Sequence, residues 1–404
     1  MCKCLKVTKV TKVTLMCFSI ALFVMSCSSY PQLPAGTAES RDQRIKQYLD
    51  QLTTEDRMPG IQYMAVDANG VLFEYASGEA VITKTAMSLT SPMMFYSVTK
   101  VLTATAVLQL VEQKKIELDE LLEQYLPFIP YRGVTIRQVL THRSGIPNPI
   151  LGNFYVHSAS EAGSFDRQSL LKQILLDNQQ LEFTPGSDYS YSNLAFALLG
   201  ELIEKVSHKS YEQYIQQNIL KPLKINSDQA SFSYNTFESD SRGYVERFSV
   251  YNLIISFMLQ GFTSQTEQGW KTFTQHWYLN YPAHGGLIVN APAVSLFLKD
   301  QLSEQSKLLS PAQKAELYRI QKPAKSSAMR STDIALAWFI NRDAKETYYF
   351  HEGSGFGYVA EVRIYPKSAI ASVLLANTTK MPHKNLMDMI DNQFKNKQDR
   401  SYKE

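Results

Sequence analysis

The chain has 404 residues, of which 44% are hydrophobic and 20% charged, a balance that excludes a disordered chain and fits a globular one. Its formal charge is +3, and four of its lysines (Lys3, Lys6, Lys9, Lys12) precede Cys27 with no acid among them; without those four the balance is −1. No dense Lys/Arg run follows, so the chain lacks the basic patch that a nucleic-acid partner requires.

Residues 1–27 read as an export signal. The lysines form a basic leading region, and the apolar run 15–25 is too short to span a bilayer, which takes about 20 residues. The run ends at Val24-Met25-Ser26-Cys27, which resembles the lipobox of bacterial lipoproteins and makes Cys27 the candidate lipidation site. Ordinary cleavage near Ser29 or Ala35, without a lipid, is the alternative. Either way the expected place is the bacterial cell envelope, on the periplasmic side and membrane-anchored if Cys27 carries a lipid. Cys2, Cys4, Cys17 and Cys27 are the only cysteines. The body of the chain therefore has no disulfide framework, no thiolate-zinc centre and no cysteine nucleophile.

Residues 28–40, rich in Ser, Pro, Ala and Gly, read as a tether. A short helix is expected over 41–52. The β-prone runs 61–66 and 71–76 flank Asp67-Ala68-Asn69-Gly70, whose Asn-Gly pair is a hairpin signal. Residues 98–113 have helical spacing and almost no charge before Glu112, which predicts a helix buried on most sides. The segment 117–288 reads as mainly helical, with helices expected over 169–181 and 193–206. Residues 231–269 have a weak pattern and are expected to hold a substrate-facing loop. Strands return at 334–340, 347–351, 358–365 and 369–375, with short connections that imply antiparallel neighbours. A last helix is expected over 384–395. The sum is an α+β fold: one antiparallel sheet built from both ends of the chain (41–116 and 289–397), flanked by helices, with a helical domain inserted at 117–288.

The chemistry starts at Ser97-Val98-Thr99-Lys100. A serine hydroxyl needs a base within reach and donors for a developing oxyanion. Helix positions i and i+3 share a face, so Lys100 stands one turn above Ser97. Burial disfavours an ammonium, so a desolvated Lys100 serves as a base. The pattern alone is weak, because Ser169-Leu170-Leu171-Lys172 repeats it in a polar, solvated setting, and Ser97 alone fits a helix cap. Tyr191-Ser192-Asn193 supplies a tyrosine oxygen for the serine proton and an amide for the substrate. His351-Glu352-Gly353-Ser354 ends an expected strand. Gly353 there lets a substrate lie along the strand edge, and the Ser354 N–H pairs with that of Ser97 as an oxyanion hole. Both motifs have decoys, at Tyr278-Leu279-Asn280 and His284-Gly285-Gly286.

Ser97 to Lys100, Leu140-Thr141-His142-Arg143-Ser144-Gly145-Ile146-Pro147, Tyr191-Ser192-Asn193 with Leu198-Leu199-Gly200, Gly285-Gly286-Leu287, and His351-Glu352-Gly353 stand in one order. In that order the chain resembles the β-lactamase-like serine hydrolases over residues 41–377. This family holds class C β-lactamases, D-Ala-D-Ala carboxypeptidases and related esterases. The resemblance implies an antiparallel sheet with helices plus a helical domain, a site between them, and acylation of Ser97 followed by hydrolysis without metal or cofactor. It implies Ser97, Lys100 and Tyr191 as catalytic residues, Asn193, His351 and Gly353 against the substrate, and Ser354 at the oxyanion. Ser169, Tyr278 and His284 fall outside the motif positions. The third motif departs from the family's usual Lys-Thr-Gly, which puts efficient penicillin hydrolysis in doubt. Arg143 reads as solvent-facing. Two functions stand: hydrolysis of an ester or amide, such as a D-amino-acid peptide, a β-lactam or another envelope substrate, and non-catalytic binding of penicillin or peptidoglycan by an envelope lipoprotein. Nothing in the sequence sets an oligomeric state.

Overall fold

The computed structural model describes Leu33 and residues 40–55, 58–149, 156–158, 165–247, 264–273, 276–321, 332–342, 346–379 and 381–396. Cys27 and the export signal lie outside the described residues, as does 248–263 within the expected substrate-facing loop. Among the described residues no helix is long and apolar enough to cross a membrane.

Helix α1 (Arg41–Thr54) opens on a capping box: Ser40 Oγ accepts from the Gln43 N–H, and the Gln43 side chain reaches back to the Ser40 backbone. Strands β1 (Gly60–Asp67) and β2 (Val71–Val81) form the hairpin expected from Asn69-Gly70. Asp67 Oδ1 closes its turn by accepting from the N–H groups of Asn69 (2.8 Å) and Gly70 (3.0 Å). Strand β3 (Thr85–Ala86) pairs on the far side of β2. Helix α2 (Thr99–Glu112) follows one 3-10 turn, Tyr96–Val98, and is buried at every position from Thr99 to Leu110, as its charge-poor sequence requires. Helices α3 (Arg167–Asp177), α4 (Asn193–Ser207) and α5 (Ala291–Leu302) come next. The chain then returns to the sheet with β4 (Thr332–Ile334), β5 (Phe339–Asn341), β6 (Tyr348–Gly355), β7 (Tyr358–Tyr365) and β8 (Ile370–Ala376), and ends on α6 (His383–Asp391).

The eight strands form one antiparallel sheet in the order β4-β5-β6-β7-β8-β1-β2-β3. The two ends of the chain meet where β1 pairs with β8, from Ile61 opposite Ala376 to Asp67 opposite Ile370. Side chains alternate between the faces. Tyr63, Phe73, Tyr365 and Leu374 join Ile45, Leu49 and Met387 of α1 and α6 in one core. Met64, Val66, Val362 and Val373 face the other way, into a larger core shared with α2, α4 and α5. That larger core also takes in Leu122, Ile136 and Leu171, so sheet and helical segment share one apolar interior. The division at 117–288 is accordingly a proposal about chain order, not a break in the core.

Four details differ from the sequence expectations. The run 334–340 is a hairpin rather than one strand: β4 and β5 are joined by a turn in which the Ala335 N–H donates to the Trp338 carbonyl (2.8 Å) and Ala337 takes φ 59°. The turn is apolar because it is buried, with the Ala337 N–H bonded to Leu140 O (2.9 Å), and burial imitates a strand pattern. Helix α3 starts at Arg167, since Asp166 caps it through the Ser169 N–H, and ends at Asp177. Helix α6 ends at Asp391, before the expected 395. Strand β6 runs on to Gly355, so His351-Glu352-Gly353-Ser354 lies inside a strand, held there by the two-residue hairpin Phe356-Gly357 into β7.

Candidate active site

Ser97 sits in the 3-10 turn that leads into α2, not in the first turn of the helix proper. Tyr96 before it takes φ 45°, a conformation uncommon for a residue with a side chain and frequent where a site holds backbone under strain. Its ring is buried beside β6, with its hydroxyl donating to Phe356 O (3.2 Å). Lys100 is the second residue of α2, and the i, i+3 spacing puts its Nζ 3.1 Å from Ser97 Oγ.

Lys100 is fully buried, and burial holds its amine well below the usual lysine pKa. Nζ also lies 2.9 Å from Asn193 Oδ1 and 2.5 Å from the His284 carbonyl, both of which can only accept. A neutral amine has two N–H groups and one lone pair. If the two N–H groups serve Asn193 and His284, the lone pair faces the Ser97 hydroxyl. The lowered pKa favours this neutral state, in which the amine can take the serine proton.

Tyr191 completes the set from the other side, its hydroxyl donating to Ser97 Oγ at 2.8 Å. The start of α4 places it. Ser192 is the N-cap, its Oγ accepting from the Ala195 N–H (3.0 Å) and donating to Pro147 O (2.9 Å). Asn193 then falls in the first turn, with its N–H donating to Asn148 Oδ1 (2.9 Å). One cap thus fixes both neighbours of Ser192 against Ser97 and Lys100.

Strand β6 approaches at Gly353. A Cβ there would lie 2.4 Å from Phe95 O and 3.1 Å from Ser97 N, so only glycine allows β6 this close to the nucleophile turn. An antiparallel hairpin closed by Gly355 opposite Tyr358 alternates bonded and non-bonded pairs. That alternation turns the Ser354 N–H away from β7, toward the open edge where Ser97 lies. His351 is 1% exposed, its Nδ1 lies 2.8 Å from Glu352 O, and burial above all pushes its pKa down to about 3. It is a neutral ring beside Phe339, and it offers no cation to a substrate carboxylate.

Sequence reasoning missed two contributors. His142 is buried with φ 52°, and its Nδ1 accepts from the Ser192 N–H (3.2 Å). Its ring centroid is 4.3 Å from that of Tyr191 and 5.0 Å from that of Phe196. Burial above all holds its pKa well below the usual histidine value. His284 was set aside as a decoy, yet its backbone carbonyl is one of the three groups on Lys100. It is held there by the turn 282–286 and by the Leu287 N–H on Thr99 Oγ1 (3.3 Å). Arg143, expected to face solvent, is half-buried and donates to Gly186 O. The second S-x-x-K copy is on the surface: Ser169 and Lys172 are both exposed, and Ser169 Oγ donates to its cap, Asp166.

A family model described as Beta-lactamase matches residues 43–391. The chain belongs to the Beta-lactamase family. Among curated members, Penicillin-binding protein 4* of Bacillus subtilis is 26% identical over 297 residues, covering 73% of this chain and 63% of that protein. Protein flp of Staphylococcus aureus is 24% identical over 369 residues, covering 88% of this chain and 66% of that one. The chain thus spans just under two thirds of the length of these relatives. Among solved structures, a D-amino acid amidase from Ochrobactrum anthropi, complexed with L-phenylalanine amide, superposes with a TM-score of 0.70 at 19% identity. That match covers 87% of this chain and 98% of the amidase. The octameric penicillin-binding protein homologue from Pyrococcus abyssi gives 0.66 at 20% identity, over 85% of this chain and 75% of that one. These likenesses show that the chain has the penicillin-binding, β-lactamase fold.

Proposed function

We propose that this Beta-lactamase family chain is a serine hydrolase that cleaves an ester or amide through an acyl-enzyme on Ser97. The observation that carries the reading is Ser97 Oγ held between Lys100 Nζ (3.1 Å) and Tyr191 OH (2.8 Å), with the amine desolvated. In the first step the Ser97 proton passes to Lys100 Nζ while Oγ bonds to the substrate carbonyl carbon. The N–H groups of Ser97 and Ser354 receive the oxyanion. The proton then goes, by way of Tyr191, to the leaving amine or alcohol as its bond to carbon breaks. In the second step Tyr191 takes a proton from water as it passes its own to the neutral Lys100 amine, the hydroxide attacks the acyl carbon, and Lys100 returns the proton to Ser97 Oγ as the acyl bond breaks.

Substrate class follows from β6. Family members that grip a carboxylate use a lysine where this chain has His351, and His351 is buried and neutral. An ester or an amide that carries no carboxylate at this point suits the site better than a penicillin does. The D-amino acid amidase and penicillin-binding neighbours supply the chemical range, and an envelope peptide of D-amino acids lies within it. We place the protein at the bacterial envelope, lipid-anchored through Cys27.

Turnover of p-nitrophenyl esters, a D-amino-acid amide, a D-Ala-D-Ala peptide and a chromogenic cephalosporin by the purified chain and its Ser97→Ala variant tests this. The expected result is hydrolysis of the esters or the amide well above that of the cephalosporin, lost in Ser97→Ala by a factor of about 10³ or more. A stable penicillin adduct with no turnover of any member would favour the second reading, a non-catalytic penicillin- or peptidoglycan-binding lipoprotein.

A further inference from the structure

Glu352 and Glu361 are directly opposite each other on β6 and β7. Like charges in that register repel unless a cation or a proton lies between them. They lie on the face of the sheet away from Ser97, because Glu352 alternates with His351 and Gly353 along β6. Helix α6 covers this face with its first residue, His383, whose Nε2 is 3.5 Å from Glu352 Oε2 and 3.7 Å from Glu361 Oε2.

The Glu361 carboxylate is 1% exposed, and its two oxygens are treated differently. Oε1 accepts from Arg363 Nε at 2.5 Å, whereas Oε2 has no hydrogen bond and points into the space shared with Glu352 and His383. The imidazole is set for the same space. Its Nδ1 lies 3.1 Å from Met381 O, which places a proton on Nδ1 and turns Nε2 toward the two carboxylates. A histidine that ligates a metal is oriented in this way, with its other nitrogen bonded to a backbone carbonyl. Three donor atoms, one imidazole nitrogen and two carboxylate oxygens, thus lie within 4.8 Å of one another. Ligands at about 2.0–2.2 Å from a tetrahedral metal stand roughly 3.3–3.6 Å apart, close to the two distances to Nε2. Glu352 is 45% exposed, which gives a cation a way in and leaves a position for water.

We propose that Glu352, Glu361 and His383 form a binding site for a divalent transition cation, of which zinc is the best fit, on the back of the strand that carries Gly353 and Ser354. The mixed nitrogen and oxygen donor set suits zinc rather than magnesium or calcium, which take oxygen. Arg363 sits next to the site, but its charge is shared among Glu361, Asp388 and Asp391. A bound cation ties β6 and β7 to the start of α6. The proposal does not rest on Ser97 being a nucleophile, and it stands or falls separately from the hydrolase reading.

The test is calorimetric titration of the full chain with Zn²⁺, after alkylation of its cysteines so that the N-terminal thiols cannot compete. One zinc per chain is expected, with binding weakened roughly tenfold or more in both Glu352→Gln and His383→Gln. X-ray absorption of the zinc-loaded chain should show histidine nitrogen and oxygen ligands and no sulfur. Glu352 is partly exposed, so E352Q keeps the test decisive if H383Q does not fold; a melting curve of each variant establishes that. No saturable zinc uptake by the wild-type chain, or uptake that E352Q and H383Q both retain at full affinity, would overturn the proposal and leave the cluster as an imidazolium bridging two carboxylates.

Discussion

Lys100→Met should lower kcat/KM for every substrate the chain turns over by about 10²–10⁴-fold, the range associated with losing a positioned general base. Methionine keeps an unbranched stem, with sulfur in place of Cδ, and lacks the nitrogen. The variant should still fold. The desolvation cost of a buried amine disappears, while Asn193 Oδ1 and His284 O each lose a donor, at about 1–3 kcal/mol for a buried acceptor. These changes oppose each other, so the melting temperature is a useful control. The pH profile adds a second readout. The working amine is the neutral one, and burial lowers its pKa. Wild-type kcat/KM should therefore fall as the medium is acidified through that lowered pKa, well below the pH at which an ordinary lysine titrates. Residual activity of Lys100→Met should lack this acid limb. An unchanged kcat/KM, or a wild-type limb at the ordinary lysine pKa, would contradict the assignment.

Arg363→Met should destabilise the fold by about 3–5 kcal/mol, measured by urea unfolding. The guanidinium is fully buried on β7 and serves as the common partner of several groups. It reaches Glu361 Oε1 (2.5 Å), Asp388 Oδ1 (2.5 Å), Lys384 O (3.0 Å) and the Tyr365 hydroxyl (3.2 Å), with Asp391 Oδ2 at 3.6 Å. It also lies 4.8 Å from the centre of the Tyr348 ring. Removing it leaves the buried carboxylates of Glu361 and Asp391 without their cation, and an uncompensated buried charge is what makes such a loss large. Adding Glu361→Gln to the variant should recover part of the loss, since it removes one of the stranded charges. A loss below about 1 kcal/mol would show that the network does not hold α6 to the sheet.

Much of this site was legible because three of its parts are local. Ser97 and Lys100 are related by helix spacing, Tyr191 and Asn193 flank the Ser192 cap, and Gly353 is a residue type that only a close approach demands. Their order along the chain then separated them from the exposed copy at Ser169 and Lys172. The rest has no local signature. His284 acts through a backbone carbonyl, which every residue possesses. His142 acts by packing on Tyr191 and by accepting from Ser192, and neither is visible until the 141–147 loop is seated under α4. The state of His351 depends on burial: a sequence shows a partly charged imidazole, whereas the folded strand holds a neutral one. The opposition of Glu352 and Glu361 exists only once the β6–β7 register is fixed. In the fold, the same limit turned the buried hairpin at 334–340 into an apparent single strand.

The most direct measurement is mass mapping of the chain after reaction with a fluorophosphonate. The account predicts one adduct per chain, on the peptide carrying Ser97, absent from Ser97→Ala and formed far more slowly by Lys100→Met. An adduct on another serine, or no adduct under conditions that label the solved D-amino acid amidase, would contradict it.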